Sequence, residues 1–325
     1  RGRMKPKKMS FKQILINLSK THLGSFKTVN ESIDLSILKA SESSELSDAL
    51  KSKTLKILSI CVDEWSQCLK NSKAKHGNSE STEKKPKLCL NLSKFEMKTL
   101  TGGMTNAVFL CEKNCRFCGV EKVLVRCYGK GSTEFIDRTV ELKIFAFLGR
   151  VGFGPRLIGL FKNGRVEEYV EAITLDHEMI RSPKMVRLLA KNLSAFHALK
   201  PNMIKPNPQI HKTFSKYLNL VKQSENFDAK LVSQLEDCMR DLKTRLEYTQ
   251  SPTVFCHNDL QYGNMLYKGK EQEIVLIDYE YSSYNPRGFD IGNYFCEWCA
   301  DYNGDEPHKL DFSKFPTLEE QILFC

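Results

Sequence analysis

The sequence predicts an α+β protein in two lobes, a small antiparallel-sheet lobe followed by a larger helical one. Three observations predict it. Short strand-like segments crowd residues 94 to 171, with one amphipathic helix among them. From Pro183 the apolar residues recur at spacings of three and four instead. Strand-like runs then return only at TVFC (253 to 256) and EIVLID (273 to 278), on either side of a polar loop. A run of strands followed by a run of helices is the α+β pattern. The 325 residues suit about two such units, and 41% hydrophobic with 27% charged residues is ordinary for a globular chain.

Taken in order, residues 1 to 48 form a basic N-terminal extension rich in Lys and Ser, in which KASESSELSD is a polar connector. The first lobe is expected over 49 to 170. Its opening helix runs from Ala49 to Leu69, with Leu50, Leu58, Cys61, Val62, Trp65 and Leu69 on one side. NSKAKHGNSESTEKKPK, 71 to 87, has hardly an apolar side chain and predicts a disordered loop. Strands follow at KFEMKTL (94 to 100), NAVFLCEK (106 to 113), KVLVRCYG (122 to 129), RLIGLFKN (156 to 163) and RVEEYVE (165 to 171). Between the third and fourth, a helix from Ile136 to Gly149 sets Val140, Ile144, Phe145 and Leu148 on one face. The second lobe, 171 to 325, has helices at PKMVRLLAKNLSAFHAL and around Lys230 to Leu246.

Composition excludes several classes. The net charge is +10, of which residues 1 to 90 carry +9, so the rest is close to neutral. That distribution describes a basic tail rather than a nucleic-acid surface. No apolar run of about 18 residues is present, so no membrane insertion is expected. The basic start RGRMKPKK has no apolar segment behind it and does not make a signal peptide. Twelve cysteines without an export signal point to reduced thiols in the cytoplasm. Cys111, Cys115 and Cys118, with Cys296 and Cys299, are too incompletely paired for a structural zinc site.

The chemistry concentrates in VFCHNDLQYGNMLY. Here His257, Asp259 and Asn264 follow the spacing H-x-D-x-x-x-x-N where an apolar strand ends, and Asp278 closes the next strand 14 residues after Asn264. Oxygen donors at that spacing suit phosphoryl transfer. One Asp takes up the attacking hydroxyl, while an Asn and a second Asp hold Mg²⁺, a hard ion that prefers carboxylate and amide oxygens. Asp259 is then the catalytic base, and Asn264 and Asp278 are metal ligands. Upstream, Gly102 and Gly103 in LTGGMTNAVF could turn backbone N–H groups onto phosphate oxygens. Arg126, in the third strand, sits where a kinase places its phosphate-neutralising cation, with Glu141 on the following helix as its acidic partner.

HNDLQYGNML and LIDYEYSSYNPRGFDIGNYFCEW, with TGGMTN upstream and VLVRCYG between, resemble the choline/ethanolamine kinases. That family belongs to the wider protein-kinase-like fold, which it shares with the aminoglycoside phosphotransferases. The resemblance runs from about Ala49 to the C-terminus and implies ATP- and Mg²⁺-dependent phosphorylation of choline to phosphocholine. It implies Asp259 as catalytic and as touching the acceptor hydroxyl. Gly102, Gly103, Met104, Thr105, Asn106 and Arg126 would hold the ATP phosphates, with Gln261 near them. Glu168, Tyr169 and Val170 would meet adenine, and Asn264 and Asp278 would bind Mg²⁺. A homodimer is the family's common state.

A quaternary ammonium asks for aromatic faces and a carboxylate. Tyr281, Tyr284, Glu297, Trp298 and Tyr302 supply both types after Asp278, and the resemblance favours Tyr281, Glu297 and Tyr302. Tyr284 and Trp298 also suit ordinary core packing, and Asp290 in GFDIGN suits a support for the catalytic loop. The family usually places further tryptophans between positions 196 and 220 and past PTLEEQILF; this sequence has only Trp65 and Trp298. Ethanolamine as acceptor, an aminoglycoside, and a nucleotide-binding scaffold without turnover are the alternative readings.

Overall fold

Alternating side chains make the strands of the first unit, because each strand then offers one apolar row to a core. The computed structural model describes residues 27–33, 46, 48–62, 95–100, 106–113, 122–128, 137–223 and 227–325. Two units are distinguished, Arg1–Val170 and Glu171–Cys325. In the first, β1 (Lys27–Val29), β2 (Phe95–Leu100), β3 (Asn106–Lys113), β4 (Lys122–Tyr128), β5 (Leu157–Phe161) and β6 (Gly164–Glu168) form one sheet in the order β1-β5-β6-β4-β3-β2.

All neighbours in that sheet are antiparallel except β1, which runs parallel to β5 with Lys27 opposite Gly159. The expected sheet was purely antiparallel and left residues 1 to 48 outside it; three residues of that segment supply an edge strand. Helix α1 (Asp48–Cys61) lays Leu50, Leu55, Leu58 and Cys61 on the face built from Phe109, Val123, Val125 and Val166. It lies so close to β5 that a Cβ added at Gly159 would sit 2.5 Å from Cys61 Sγ. Residues 63 to 69 of the expected helix, the 71–87 loop, Trp65, Cys115 and Cys118 lie outside the described residues.

The opposite row of β4 and β6 carries Arg126, Arg165 and Glu167 and meets α2 (Arg138–Arg150). Asp137 starts α2 by accepting from the N–H groups of Thr139 and Val140 at 3.0 and 3.2 Å, which satisfies two of the free donors of the first turn.

The second unit holds more strands than its sequence announced. β7 (Ile173–Thr174), β9 (Met265–Lys268) and β10 (Glu273–Leu276) make one antiparallel sheet, while β8 (Thr253–Cys256) pairs with β11 (Ser283–Pro286). The helices are α3 (Pro183–His197), α4 (Ile210–Lys222), α5 (Ala229–Thr249), α6 (Arg287–Glu297) and α7 (Leu318–Phe324). Ser182 caps α3 through Met185 N–H, with Pro183 at the first helical position. Met185, Val186, Leu189, Leu193 and Phe196 then bury one stripe, and Phe196 stacks on Phe255 of β8 at 5.0 Å. Among the described residues no helix is long and apolar enough to cross a membrane.

Candidate active site

Between β8 and β9 the chain crosses from one small sheet to the other, and residues 257 to 264 make that crossing. One face of α6 holds it. Asp290, Asn293 and Glu297, at i, i+3 and i+7, stand on one side of the helix. Asp290, fully buried at 0% exposure, accepts His257 N–H on Oδ2 at 2.8 Å and Asn258 N–H on Oδ1 at 2.7 Å. Asn293 Oδ1 accepts Leu260 N–H at 2.6 Å. Asn258 stands at φ +67°, a left-handed conformation that Asn tolerates better than most residues. Its side chain is pinned as well, donating to Tyr281 O at 2.8 Å and Ser283 Oγ at 2.9 Å and accepting from Asn285 at 2.8 Å.

His257 is a strut. Its Nε2 donates to Ile277 O at 3.0 Å, and Ile277 N–H in turn donates to Asn264 O at 3.0 Å. The residue before Asp278 is therefore clamped to both ends of the loop, and Asp278 itself sits at φ +64°.

Asp259 Oδ2 accepts from Asn264 Nδ2 at 2.8 Å and from Gln261 Nε2 at 3.2 Å. Burial pushes its carboxyl above the ordinary carboxylate range, aided by the charge of Asp278 and opposed by His257 and the two amides. The Asn264 amide nitrogen is committed to Asp259, also donating to its backbone oxygen at 3.0 Å. That leaves Oδ1 as the oxygen donor of Asn264, and an amide oxygen with the Asp278 carboxylate is the all-oxygen donor chemistry that fits Mg²⁺.

Tyr281, Glu297 and Tyr302 lie in the electrostatic field of Asp259. Tyr302 O–H donates to Glu297 Oε2 at 2.8 Å, and Tyr302 N–H donates to Tyr262 Oη at 2.7 Å with the two rings 5.4 Å apart. Burial raises the Glu297 carboxyl above its usual range, and the Tyr281 hydroxyl is pushed up to about 12, first by burial and then by Glu280. Tyr281 and Tyr302 keep 40% and 43% of their surfaces exposed. Trp298 and Tyr284 are buried; Trp298 meets Tyr294 edge-on at 5.9 Å and carries Arg181 over its ring at 5.2 Å. These two are core aromatics.

In the first unit, Arg126 Nε donates to Glu167 Oε1 at 3.2 Å rather than making the expected pair with Glu141. Glu141 is held by Arg138 at 2.6 Å and Arg165 at 2.7 Å, and Arg165 also reaches Glu167 at 2.8 Å. Arg165 of β6, directly opposite Arg126 of β4 in the register, takes Glu141 instead. Glu168 is gripped at both carboxylate oxygens by Arg156, and Tyr169 lies under Lys122 at 5.6 Å. Val170 ends the unit, and Asn106 opens β3 opposite Tyr128. Gly102, Gly103, Met104 and Thr105 lie outside the described residues.

Asn258, Asn293 and Tyr262 were not anticipated. Only Asn258 left a trace in the sequence, as an Asn beside the loop Asp where a left-handed residue is common.

The choline/ethanolamine kinase family pattern matches residues 97–325. The chain is 38% identical over 241 residues to probable choline kinase 3 of Arabidopsis thaliana, covering 71% of this chain and 67% of that protein. It is 36% identical over 231 residues to ethanolamine kinase 2 of Mus musculus, covering 69% of this chain and 57% of that one. The crystal structure of choline kinase from Cryptosporidium parvum Iowa II superposes with a TM-score of 0.66 at 26% identity, over 84% of this chain and 76% of that chain. A strand-rich unit followed by a helical one, with this loop in the second, is the protein-kinase-like fold. Within that fold, the chain belongs to the choline/ethanolamine kinase family. It spans about two thirds of the plant relative and 57% of the mouse one.

Proposed function

We propose that the protein transfers the γ-phosphoryl group of ATP to choline, giving phosphocholine and ADP on the route to phosphatidylcholine. The observation that carries this reading is the Asp259 carboxylate, oriented by Asn264 and Gln261 beside Asp278 in a segment that matches the kinase family. Asp259 takes up the proton of the acceptor hydroxyl, and its raised affinity for protons suits that role. Asn264 and Asp278 hold Mg²⁺ through oxygen; the ion, when bound, neutralises charge on the nucleotide phosphates. Gln261 helps to set the carboxylate direction.

In the first unit, Arg126 and the segment from Gly102 to Asn106 attract the phosphates, and the backbone of Glu168, Tyr169 and Val170 meets adenine. Glu297 offers the charge that a quaternary ammonium needs, and Tyr281 and Tyr302 offer exposed aromatic faces. Those features suit choline over a polyhydroxylated acceptor. Ethanolamine remains the second acceptor, because the chain also resembles an ethanolamine kinase. A homodimer in the cytoplasm completes the proposal, and sedimentation of the purified chain tests the dimer.

The deciding experiment is acceptor-dependent release of ADP from Mg-ATP with choline, ethanolamine or an aminoglycoside. Turnover is expected with choline and, more slowly, ethanolamine, and Asp259→Ala should lower kcat by about 10³-fold or more while the fold persists. ATP binding without turnover on any acceptor would leave a nucleotide-binding scaffold instead.

A further inference from the structure

We propose that His197, the last residue of α3, is a positioning residue for Asp259 and acts through Asp290; this deepens the phosphotransfer reading and rests on it. His197 is nearly buried, and its Nε2 donates to Asp290 Oδ2 at 2.8 Å. The same oxygen accepts His257 N–H, and its twin accepts Asn258 N–H. Cys256 brings its sulfur into the same buried cluster, within 4.8 Å of the His197 and Asp290 donor atoms, and donates to Asn285 O at 3.5 Å.

The role follows from what each contact can fix. Asp290 sets the loop backbone, but two N–H groups belonging to the loop cannot themselves fix the carboxylate that holds them. The third donor has to come from outside the loop. His197 is outside, on a helix anchored by five buried apolar residues, with neighbouring Phe196 stacked on the strand that enters the loop. Asn258 is held in its left-handed conformation one residue before Asp259. A carboxylate free to rotate would release that conformation and move the base. Reactive groups must be held to about 0.5 Å, and a misplacement of about 1 Å costs on the order of 10²-fold in rate.

The test compares wild type with His197→Leu, which removes the donor; His197→Asn, whose amide is too short to reach Asp290; and His197→Gln, whose amide nitrogen can replace Nε2. For each, kcat and KM for Mg-ATP and choline are measured, together with amide hydrogen exchange of the peptide spanning residues 256 to 261. Leu and Asn should lower kcat by about 10- to 100-fold with both KM values within about twofold, and should speed exchange in that peptide. Gln should recover kcat to within about threefold of wild type. If Leu fails to fold, Asn gives the same comparison. Wild-type kcat in the Asn variant, equal losses in Gln and Asn, or a loss carried by KM would each overturn the proposal. Should the wild type itself show no acceptor-dependent ADP release, the kinase reading fails, and unchanged amide exchange in Asn would then overturn the positioning role separately.

Discussion

Among the described residues, two regions bury charge, and they neutralise it by different means. In the first unit Arg126, Glu167, Arg165, Glu141 and Arg138 form a chain of alternating sign between sheet and helix. In the second unit the buried Asp290 carboxylate is answered by two backbone N–H groups and an imidazole. Charge paired with charge is compensated over a range of separations, since Coulomb energy falls slowly with distance. A carboxylate held by directed N–H groups is fixed in angle as well, since such bonds weaken steeply off axis. The first arrangement suits holding a cation in a sheet; the second suits aiming a loop.

The largest effect should come from breaking the chain of charges. Arg165 is 1% exposed, reaches both carboxylates, and lies over the Phe145 ring at 4.2 Å. Arg165→Met keeps much of that packing but leaves Glu141 and Glu167 each short of a cation. Losing one partner of a buried pair costs about 3–5 kcal/mol, and thermal or urea unfolding should show a loss of that size. Adding Glu141→Gln to Arg165→Met should return part of it, because the stranded charge is then gone. A loss below about 1 kcal/mol in the single variant would mean that packing, not charge, holds this face.

Acid separates the carboxylates more gently. Burial alone would raise Glu141 and Glu167, but Arg165 outweighs it, with Arg138 at Glu141 and Arg126 at Glu167, and both sit below the usual 4.5. A depressed folded value means that the stabilisation is fully present above the unfolded value and is lost as pH falls through the folded one. Glu297 goes the other way: burial raises it, so it takes up a proton at a pH where ordinary carboxylates are still charged. On acidification, KM for choline should therefore rise before the folding free energy falls. KM and urea-unfolding curves over one pH series test that order; stability failing first would reverse it.

How much of this was legible depended on whether a feature was local. β3 and β4 could be read because their alternation is written in consecutive residues, and His257, Asp259 and Asn264 because one loop fixes their spacing. β1 could not: KTV becomes a strand only because β5 offers an edge beside it. The expected partner of Arg126 was Glu141 on the following helix; Glu167 reaches it instead through the pairing of β4 with β6, which consecutive residues do not spell out. His197 and Asp290 are 93 residues apart and meet only when α3 packs against β8. No spacing rule reaches that far.

The smallest effect should sharpen the contrast at the proposed acceptor site. Tyr302 O–H donates to Glu297 Oε2, and this bond is what most opposes the rise that burial imposes on Glu297. Tyr302→Phe keeps the aromatic face for a cation but removes the donor. A hydrogen bond to a charged group is worth about 1.5–3 kcal/mol, less where water competes, and Tyr302 is 43% exposed. KM for choline should rise about fivefold at neutral pH with kcat nearly unchanged, and its acid-side increase should begin at a higher pH than in wild type. Ethanolamine offers N–H donors of its own to Glu297, so its KM should rise less. An equal rise for both acceptors would place Tyr302 in ordinary packing against Tyr262 rather than in control of the carboxylate.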